Sequence, residues 1–334
     1  MALWSTSLSE ILKGLAICAT TATSVWAVNF IRLHALHTSK LSRYLHSGNQ
    51  VRDGKGDSNA WALVTGASDG IGHAFVEQLA SQGFNVVLHG RNKEKLQKFR
   101  DTLQAQFPSR SFQLLIIDAS DREGWKAPMD KFVSEFEKSN AKLTVLINNV
   151  GGATSPFYLF QPMAERPVQS VIAHIDLNLT FSSILTHALL PLLSKNQPAL
   201  ILNLSSFARL IPPPYLALYS GSKAFIETWS EGLSREFAVD GLDIEVMTFN
   251  LGRVSSAINR GREFDRITVP TSETFARAAL HKVGCGKLMV IPYWAHDLMA
   301  VITNLMPSQL VVKMITLGIT DEIAWERRDD KVKK

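Results

Sequence analysis

Seven short apolar runs with helix-period stretches between them leave this chain very few folds to adopt. The runs are Trp61–Val64, Phe84–Leu88, Phe112–Ile117, Leu143–Ile147, Leu200–Leu204, Ile244–Phe249 and Leu288–Ile291. Apolar residues at consecutive positions predict strands buried on both faces. Helical patterns lie between them, clearest at 71–82, 92–106, 168–195, 215–238 and 272–282. Strands alternating with helices predict an α/β fold, with a doubly wound parallel sheet covered on both sides. The chain divides into an apolar segment with a basic flank (1–46), a polar linker (47–58), the α/β domain (59–295), and an apolar then charged extension (296–334). No repeat of solenoid length is present.

The first run leads directly into Thr65-Gly66-Ala67-Ser68-Asp69-Gly70-Ile71-Gly72 and a helix from His73. Glycines between strand and helix permit a tight turn, and let a pyrophosphate approach backbone N–H groups at the helix N-terminus. The spacing is G-x-x-x-G-x-G rather than G-x-G-x-x-G. After the second strand a dinucleotide site would place an acid on the adenosine ribose. Here the residues are His89-Gly90-Arg91-Asn92, with no acid. Arg91 can instead pair with a 2′-phosphate, which favours NADP over NAD; the bland alternative is a solvated arginine at a helix start. Asp118 closes the third strand, either as an acceptor for the adenine amino group or as a helix cap. Asn148-Asn149-Val150-Gly151 closes the fourth strand, on the edge where ligands of such sheets gather.

A second constellation is NLSSFARLIPPPYLALYSGSK, from Asn203 to Lys223. Tyr219 and Lys223 are one helical turn apart and share a helix face. A phenol has a pKa of about 10, and a neighbouring ammonium is expected to lower it by favouring the phenolate. Ser206, at the end of the fifth strand, can hold the oxygen of a substrate carbonyl. Together they form an apparatus for protonating a ketone as a hydride arrives. Tyr-x-x-x-Lys alone carries little weight; the motifs that precede it supply the rest. Asn178 sits inside a helical stretch, where asparagine is a poor former, so it caps a kink, holds a water or is mere surface.

Bulk properties narrow the partners. The 334 residues are 46% hydrophobic and 19% charged, too apolar for disorder. A formal charge of +5 suits a cytoplasmic membrane face or a phosphorylated ligand. The basic residues form no stripe and have no aromatic platform, so no nucleic-acid partner is expected. Cys18 and Cys285 give no disulfide framework and point to a reducing compartment. The nine histidines show no metal-ligand spacing; no metal is expected, and all nine read as structural or surface residues. Gly14 to Ile31 carries no charge and approaches the roughly 20 residues of a bilayer span. A signal anchor or membrane-associated helix is preferred to a cleaved signal peptide or a buried extension. Arg32, Lys40 and Arg43 follow it and would put the rest of the chain in the cytoplasm.

With TGASDGIG, NNVG, Asn178, Ser206 and Tyr219-x-x-x-Lys223 in this order, residues 58–295 resemble the short-chain dehydrogenase/reductases, which have a Rossmann-like fold. The nearest likeness is to their membrane-bound branch of very-long-chain 3-oxoacyl-CoA reductases and related 17β-hydroxysteroid dehydrogenases. The N-terminal apolar segment, WALVTGASDGIG, NNVG, PTSETFARAALHKVG and the apolar C-terminal part carry that finer match. The resemblance implies Tyr219 as proton donor and Lys223 as the residue that lowers its pKa and binds the nicotinamide ribose. It implies Ser206 as the carbonyl orienter and Asn178 as the holder of a water. Gly66, Ser68, Gly70 and Ile71 would form the phosphate and ribose loop, with Asp118 and Asn148 lining the adenosine side.

The sequence also departs from the family. Pro-Gly-x-Val-x-Thr is replaced by Leu251-Gly252-Arg253-Val254-Ser255-Ser256. Loss of the proline is expected to loosen this loop on the nicotinamide amide, with Val254 and Ser256 still serving. Arg253 reads as solvent-facing in preference to meeting an anionic substrate group. The C-terminal lysines do not match the ER-retrieval pattern. The extension after Leu288 fits a membrane-dipping helical pair or a lid over the substrate entrance, or else a helix packed on the core.

The resemblance implies NADPH-dependent reduction of a hydrophobic ketone, a long-chain 3-oxoacyl-CoA thioester, at the endoplasmic reticulum membrane. A steroid or secondary-metabolite ketone is the alternative substrate, and a dinucleotide-binding scaffold the non-catalytic alternative. Helices 168–195 and 215–238 resemble those that pair subunits, which implies a homodimer.

Overall fold

The computed structural model describes residues 8–46, 59–153, 158–255 and 265–333. Each apolar run forms a strand: β1 (Ala60–Val64), β2 (Asn85–Gly90), β3 (Phe112–Ile116), β4 (Lys142–Asn148), β5 (Ala199–Leu204), β6 (Ile244–Phe249) and β7 (Met289–Val290). They pair in parallel in the order β3-β2-β1-β4-β5-β6-β7. Strand order reverses between β1 and β4, and a parallel sheet opens its ligand crevice at the carboxyl ends beside such a reversal.

The period of two along each strand sorts the core into two layers. Ala62 and Val64 of β1 face one way, with Leu200 and Leu202 of β5. Over them pack α2 (Gly70–Ser81), α3 (Lys93–Gln106) and α8 (Ser272–His281), through Phe75, Leu79, Leu96 and Phe275. Leu63 and Ile201 face the other way. They meet α4 (Lys126–Lys138), α6 (Phe181–Lys195) and α7 (Ala217–Val239) through Phe132, Leu185, Leu189 and Phe237. Each such side chain contributes about 2 kcal/mol over an exposed one. This is the doubly wound α/β sheet expected from the alternation.

Two local features differ from the sequence reading. Helix α4 was not among the clearest patterns, because its apolar stripe is short. The long helix expected over 168–195 is α5 (Val168–Ile175) and α6 joined by a π-helical turn at Asp176–Thr180. Asn178 lies in that turn, with its side-chain amide taken by the backbone of Gly152. A π turn inside a helix has identifiable local causes and recurs at functional sites.

At the N-terminus α1 (Leu8–Ile31) begins a stretch, Glu10–Leu36, long and apolar enough to cross a membrane. Ile11, Leu15, Ile17, Val25 and Val28 on it are exposed. Val168–Lys195 passes the same test, but Phe181, Leu185, Leu189, Leu192 and Leu193 on it belong to the core. The segment after α1 is tied to the sheet domain. Lys282 Nζ donates to the Leu33 carbonyl (2.7 Å), Ser39 Oγ to the Leu280 carbonyl (2.7 Å), and Thr144 Oγ1 to the Tyr44 carbonyl (2.7 Å). At the other end α9 (Trp294–Leu305) and α10 (Ser308–Lys333) fold back over the carboxyl edge of the sheet and wall the crevice there.

Candidate active site

The glycine turn is shaped by contacts that leave no room for side chains. Gly66 has φ +66°, a region where a Cβ is strained. A Cβ on Gly72 would stand 2.1 Å from the Gly66 carbonyl oxygen and 2.6 Å from Asn149 Nδ2. The turn is clamped to the end of β4. Thr65 Oγ1 accepts from the N–H groups of Asn149 (2.8 Å) and Val150 (2.9 Å), and Asn149 Nδ2 donates to the Thr65 carbonyl (2.8 Å). Asp69 caps α2, accepting from the Gly70 N–H at 2.8 Å. Gly66, Gly70 and Ile71 line the cavity, and Ser68 stands beside it against Gly90. Main chain at a helix N-terminus with no Cβ in the way suits a pyrophosphate, so these residues fit a nicotinamide dinucleotide.

At the far side of the turn, Arg91 NH1 lies 3.6 Å from Asp118 Oδ2. Asp118 Oδ1 accepts from the Ser120 N–H (2.9 Å) and Oγ (2.7 Å), a capping role. Burial raises its pKa, but the Ser120 bonds and the Arg91 charge outweigh burial and hold the carboxyl below its usual range.

Across the crevice Tyr219 and Ser206 line the same cavity wall, and Ser206 is the side chain that draws the phenol's pKa down. Ser206 lies two residues past β5 and caps the 3-10 turn Phe207–Arg209; its Oγ accepts from the Ala208 N–H at 3.2 Å, which fixes its rotamer. Lys223 is buried; its Nζ donates to the Leu204 carbonyl at 2.8 Å and stands 5.6 Å from the centre of the Tyr219 ring. Asn178 Oδ1 accepts from the Gly152 N–H (2.7 Å), and its Nδ2 donates to the carbonyls of Gly152 (2.9 Å) and His174 (3.1 Å). A Cβ on Gly151 would lie 2.9 Å from Asn178 Oδ1 and 3.3 Å from Lys223 Nζ, so this glycine is where the two side chains converge. Ser206, Tyr219, Lys223 and Asn178 are therefore assembled around one end of the crevice.

The expected acidification of Tyr219 is not found in the free protein. Burial pushes the phenol up, and the neighbouring Ser206 hydroxyl offsets only part of that. Burial also lowers the Lys223 ammonium to about 8. Desolvation wins because Lys223 turns its charge to the Leu204 carbonyl rather than to the phenol oxygen.

The cavity holds about 680 Å³. Its cofactor side is the glycine turn and Val150–Gly152; its other side is apolar, lined by Met299 of α9, Met306 between the helices, and Met314, Ile315 and Ile319 of α10, with Phe207 and Leu216. This matches the lid alternative for the C-terminal part. Arg253 is exposed, as expected, and also pairs with Glu322 of α10 at 2.6 Å; both residues line the cavity.

The loop that lacks the family's proline is not loose. The Leu251 carbonyl accepts from the Phe207 N–H at 3.0 Å. The buried His296 from α9 lies 3.3 Å from the Gly252 N–H and 3.1 Å from the carbonyls of Arg253 and Thr268. Val254 is buried and lines the cavity; Ser256 lies outside the described residues.

Asn148 is a correction. It is buried away from the crevice, donating to Thr186 Oγ1 (3.0 Å) and Asn203 Oδ1 (2.8 Å), because it is the last residue of β4 and points into the α6–α7 layer. Its neighbour Asn149 meets the cavity instead. Strand alternation, one residue in register, could have found it. Sequence reasoning also missed His174 and His296, since a lone histidine in a helical pattern carries no spacing signal.

The sequence pattern of the short chain dehydrogenase family matches residues 60–266. A very-long-chain 3-oxoacyl-CoA reductase of Pyricularia oryzae is 33% identical over 249 residues, 73% of this chain and 72% of that protein. Its counterpart from Scheffersomyces stipitis is 35% identical over 254 residues, 72% of this chain and 70% of that one. Among solved structures, a short-chain dehydrogenase from Sphingobium yanoikuyae in complex with NADPH superposes with a TM-score of 0.59 at 24% identity, covering 73% of this chain and 92% of the other. With the fold, the glycine turn and the Ser–Tyr–Lys set in place, the chain belongs to the short-chain dehydrogenase family of oxidoreductases, whose fold binds a nicotinamide dinucleotide.

Proposed function

We propose that the protein reduces the ketone of a long-chain 3-oxoacyl-CoA to the secondary alcohol, using NADPH. The observation that carries this is the convergence of Ser206, Tyr219 and the buried Lys223 on one wall of a largely apolar cavity. The names of the relatives, at 33% and 35% identity over most of both chains, support the acyl substrate.

When bound, the cofactor supplies a hydride to the carbonyl carbon. Ser206 holds the carbonyl oxygen and Tyr219 gives that oxygen its proton, leaving an alcohol and a phenolate. A phenol kept protonated by burial suits this direction, because the donor must hold its proton until the oxygen becomes basic. Lys223 binds the nicotinamide ribose and neutralises the phenolate once it forms. Asn178 fixes the Gly151–Gly152 main chain between the two sides and holds a water. Gly66, Ser68, Gly70 and Ile71 cradle the pyrophosphate and Val254 packs on the nicotinamide. Asp118 accepts from the adenine, and Arg91 meets the 2′-phosphate. The methionine-lined side takes the acyl chain. Helix α1 anchors the protein in the endoplasmic reticulum membrane with the sheet domain in the cytoplasm, as Arg32, Lys40 and Arg43 direct.

Tyr219→Phe tests the assignment. It removes one oxygen and keeps the ring, so kcat is expected to fall by about 10²–10⁴ while NADPH affinity stays near wild type. Reduction of 3-oxoacyl-CoA at a near-normal rate by this variant would overturn the mechanism. Wild-type activity on ketosteroids alone would overturn the substrate.

A further inference from the structure

His174 belongs to none of the roles above, yet it sits against the proton donor. It lies on α5 one turn before Asn178 and is buried, with 2% of its surface exposed. Its ring meets the Tyr219 ring edge to face, 6.4 Å between centres. Its backbone carbonyl accepts from Asn178 Nδ2. No hydrogen bond reaches its Nε2, although that atom is sealed from solvent. Beside Tyr219 on α7, Ser220 Oγ is a second buried polar atom without a partner. An unsatisfied buried imidazole nitrogen carries its full desolvation penalty, and native interiors meet such groups with water.

The charged groups around this ring fix its protonation state. Arg166 precedes α5, Lys223 stands on α7, and Asp176 in the π turn is already engaged by Arg122. Burial first, then the positive charges of Arg166 and Lys223, hold the imidazole at about 4. It is neutral at neutral pH. A neutral imidazole has one donor and one acceptor nitrogen, and it leaves Lys223 as the cation of the site.

We propose that His174 is a positioning residue that holds a water behind Tyr219, from which the phenol recovers its proton after each turnover. The inference rests on the reductase reading. One proton passes from that water to the phenolate, and solvent entering the cavity that Tyr219 lines returns one to the water, so the step is balanced without any further reactant. His174 itself stays neutral throughout. Because His174 does not line the cavity, its loss acts on turnover and not on binding.

The test uses the full chain in detergent with NADPH, comparing wild type, His174→Leu and His174→Gln. Leucine fills the volume but holds no water; glutamine keeps a hydrogen-bonding group. The expected result for His174→Leu is a kcat about tenfold lower, with KM values unchanged and a larger solvent deuterium effect on kcat. His174→Gln recovers most of the rate. Equal kcat in all three proteins, or KM and melting temperature moving with kcat in both variants, overturns the proposal.

A crystal structure of the wild-type NADPH complex gives an independent answer, which holds if His174→Leu fails to fold. A water within hydrogen-bonding distance of His174 Nε2 supports the proposal, and a dry contact there overturns it. If the wild type reduces no ketone, the reductase reading fails by its own assay, and the crystallographic result still decides whether His174 holds a water.

Discussion

The two sides of the cavity are built from different materials. On the cofactor side the walls are main chain: Gly66, Gly70 and Val150–Gly152, held by Thr65, Asn149 and Asn178 through hydrogen bonds to backbone groups. On the substrate side the walls are long side chains from α9 and α10, methionines prominent among them. Main chain at close approach cannot yield, whereas a thioether chain has three rotatable bonds and fills irregular space. A rigid mould suits a cofactor of fixed shape, and a compliant wall suits the flexible apolar chain of the proposed substrate.

The largest expected effect breaks the rigid side. The added methyl of Gly72→Ala would meet the Gly66 carbonyl oxygen at 2.1 Å, a main-chain atom that no rotamer change can move. Losses above about 4 kcal/mol come from a short set of causes, of which such a clash is one. The variant should melt far below wild type or lose measurable NADPH binding. A single methylene trimmed from the opposite wall, as in Ile315→Val, should cost about 1 kcal/mol or less and leave cofactor affinity alone. Thermal melts and NADPH fluorescence titrations of the two variants make the comparison; similar losses in both would abolish the distinction.

Next in size is the pair that closes the compliant side. Arg253 and Glu322 join the loop after β6 to α10 at 2.6 Å. Glu322 is almost fully buried, while Arg253 is 39% exposed, so solvent screens part of the interaction. Arg253→Gln removes the guanidinium paired with a buried carboxylate and should loosen α10. About 1–2 kcal/mol is expected, well under the 3–5 kcal/mol of a fully buried pair. The readouts are faster hydrogen exchange in α10 and a KM for 3-oxoacyl-CoA raised several-fold, with NADPH affinity unchanged. The exchanged pair Arg253→Glu with Glu322→Arg should restore both. A change in NADPH affinity equal to that in KM would mean that the two sides are one mechanical unit.

What the sequence revealed follows the same division. The strand–glycine–helix turn and Tyr219–Lys223 are short-range patterns, and their geometry follows from a few adjacent residues. The doubly wound sheet was legible because consecutive apolar positions specify strands buried on both faces. The lid was legible only as an alternative, since residues 299–322 reach the cavity through contacts some fifty or more positions from Leu251–Val254. His296 replaced the fixing action of the missing proline from more than forty positions away, which no local pattern announces. Asn148 and Asn149 show the finest limit: the motif was seen, but which asparagine faces the crevice depends on where β4 stops alternating.

The pH dependence sharpens the comparison at the point where the two sides meet. Burial lowers Lys223 to about 8 and raises Tyr219. Below about pH 8 the free protein therefore carries an ammonium and a protonated phenol, the pair that reduction requires. As pH rises through that value the ammonium is lost first, while the phenol keeps its proton. For ketone reduction, kcat/KM should fall about tenfold per pH unit on the alkaline side, because kcat/KM reports groups of the free enzyme. The midpoint should lie near 8 and stay there in Arg253→Gln, whose change is confined to the lid. A flat profile to pH 10 would mean that Lys223 is not the controlling cation.

The smallest effect lies at the outer end of the rigid side, where a side chain and not the main chain makes the contact. Arg91 is 57% exposed and stands 3.6 Å from Asp118, a separation and exposure at which an ion pair adds little to stability. Its guanidinium is thus available to a 2′-phosphate at small cost. Arg91→Asp removes that cation and sets two carboxylates side by side, which repels the phosphate and leaves an unphosphorylated ribose less affected. NADPH affinity should fall about tenfold relative to NADH, with the melting temperature nearly unchanged, since one charge-assisted contact is worth roughly 1.5–3 kcal/mol before screening. The measurement is the ratio of the two dissociation constants at low and at 0.5 M salt, and the wild-type ratio should itself shrink at the higher salt, to a Debye length of about 4 Å. An unchanged ratio in Arg91→Asp would take Arg91 out of the site and leave cofactor choice to the main-chain mould alone.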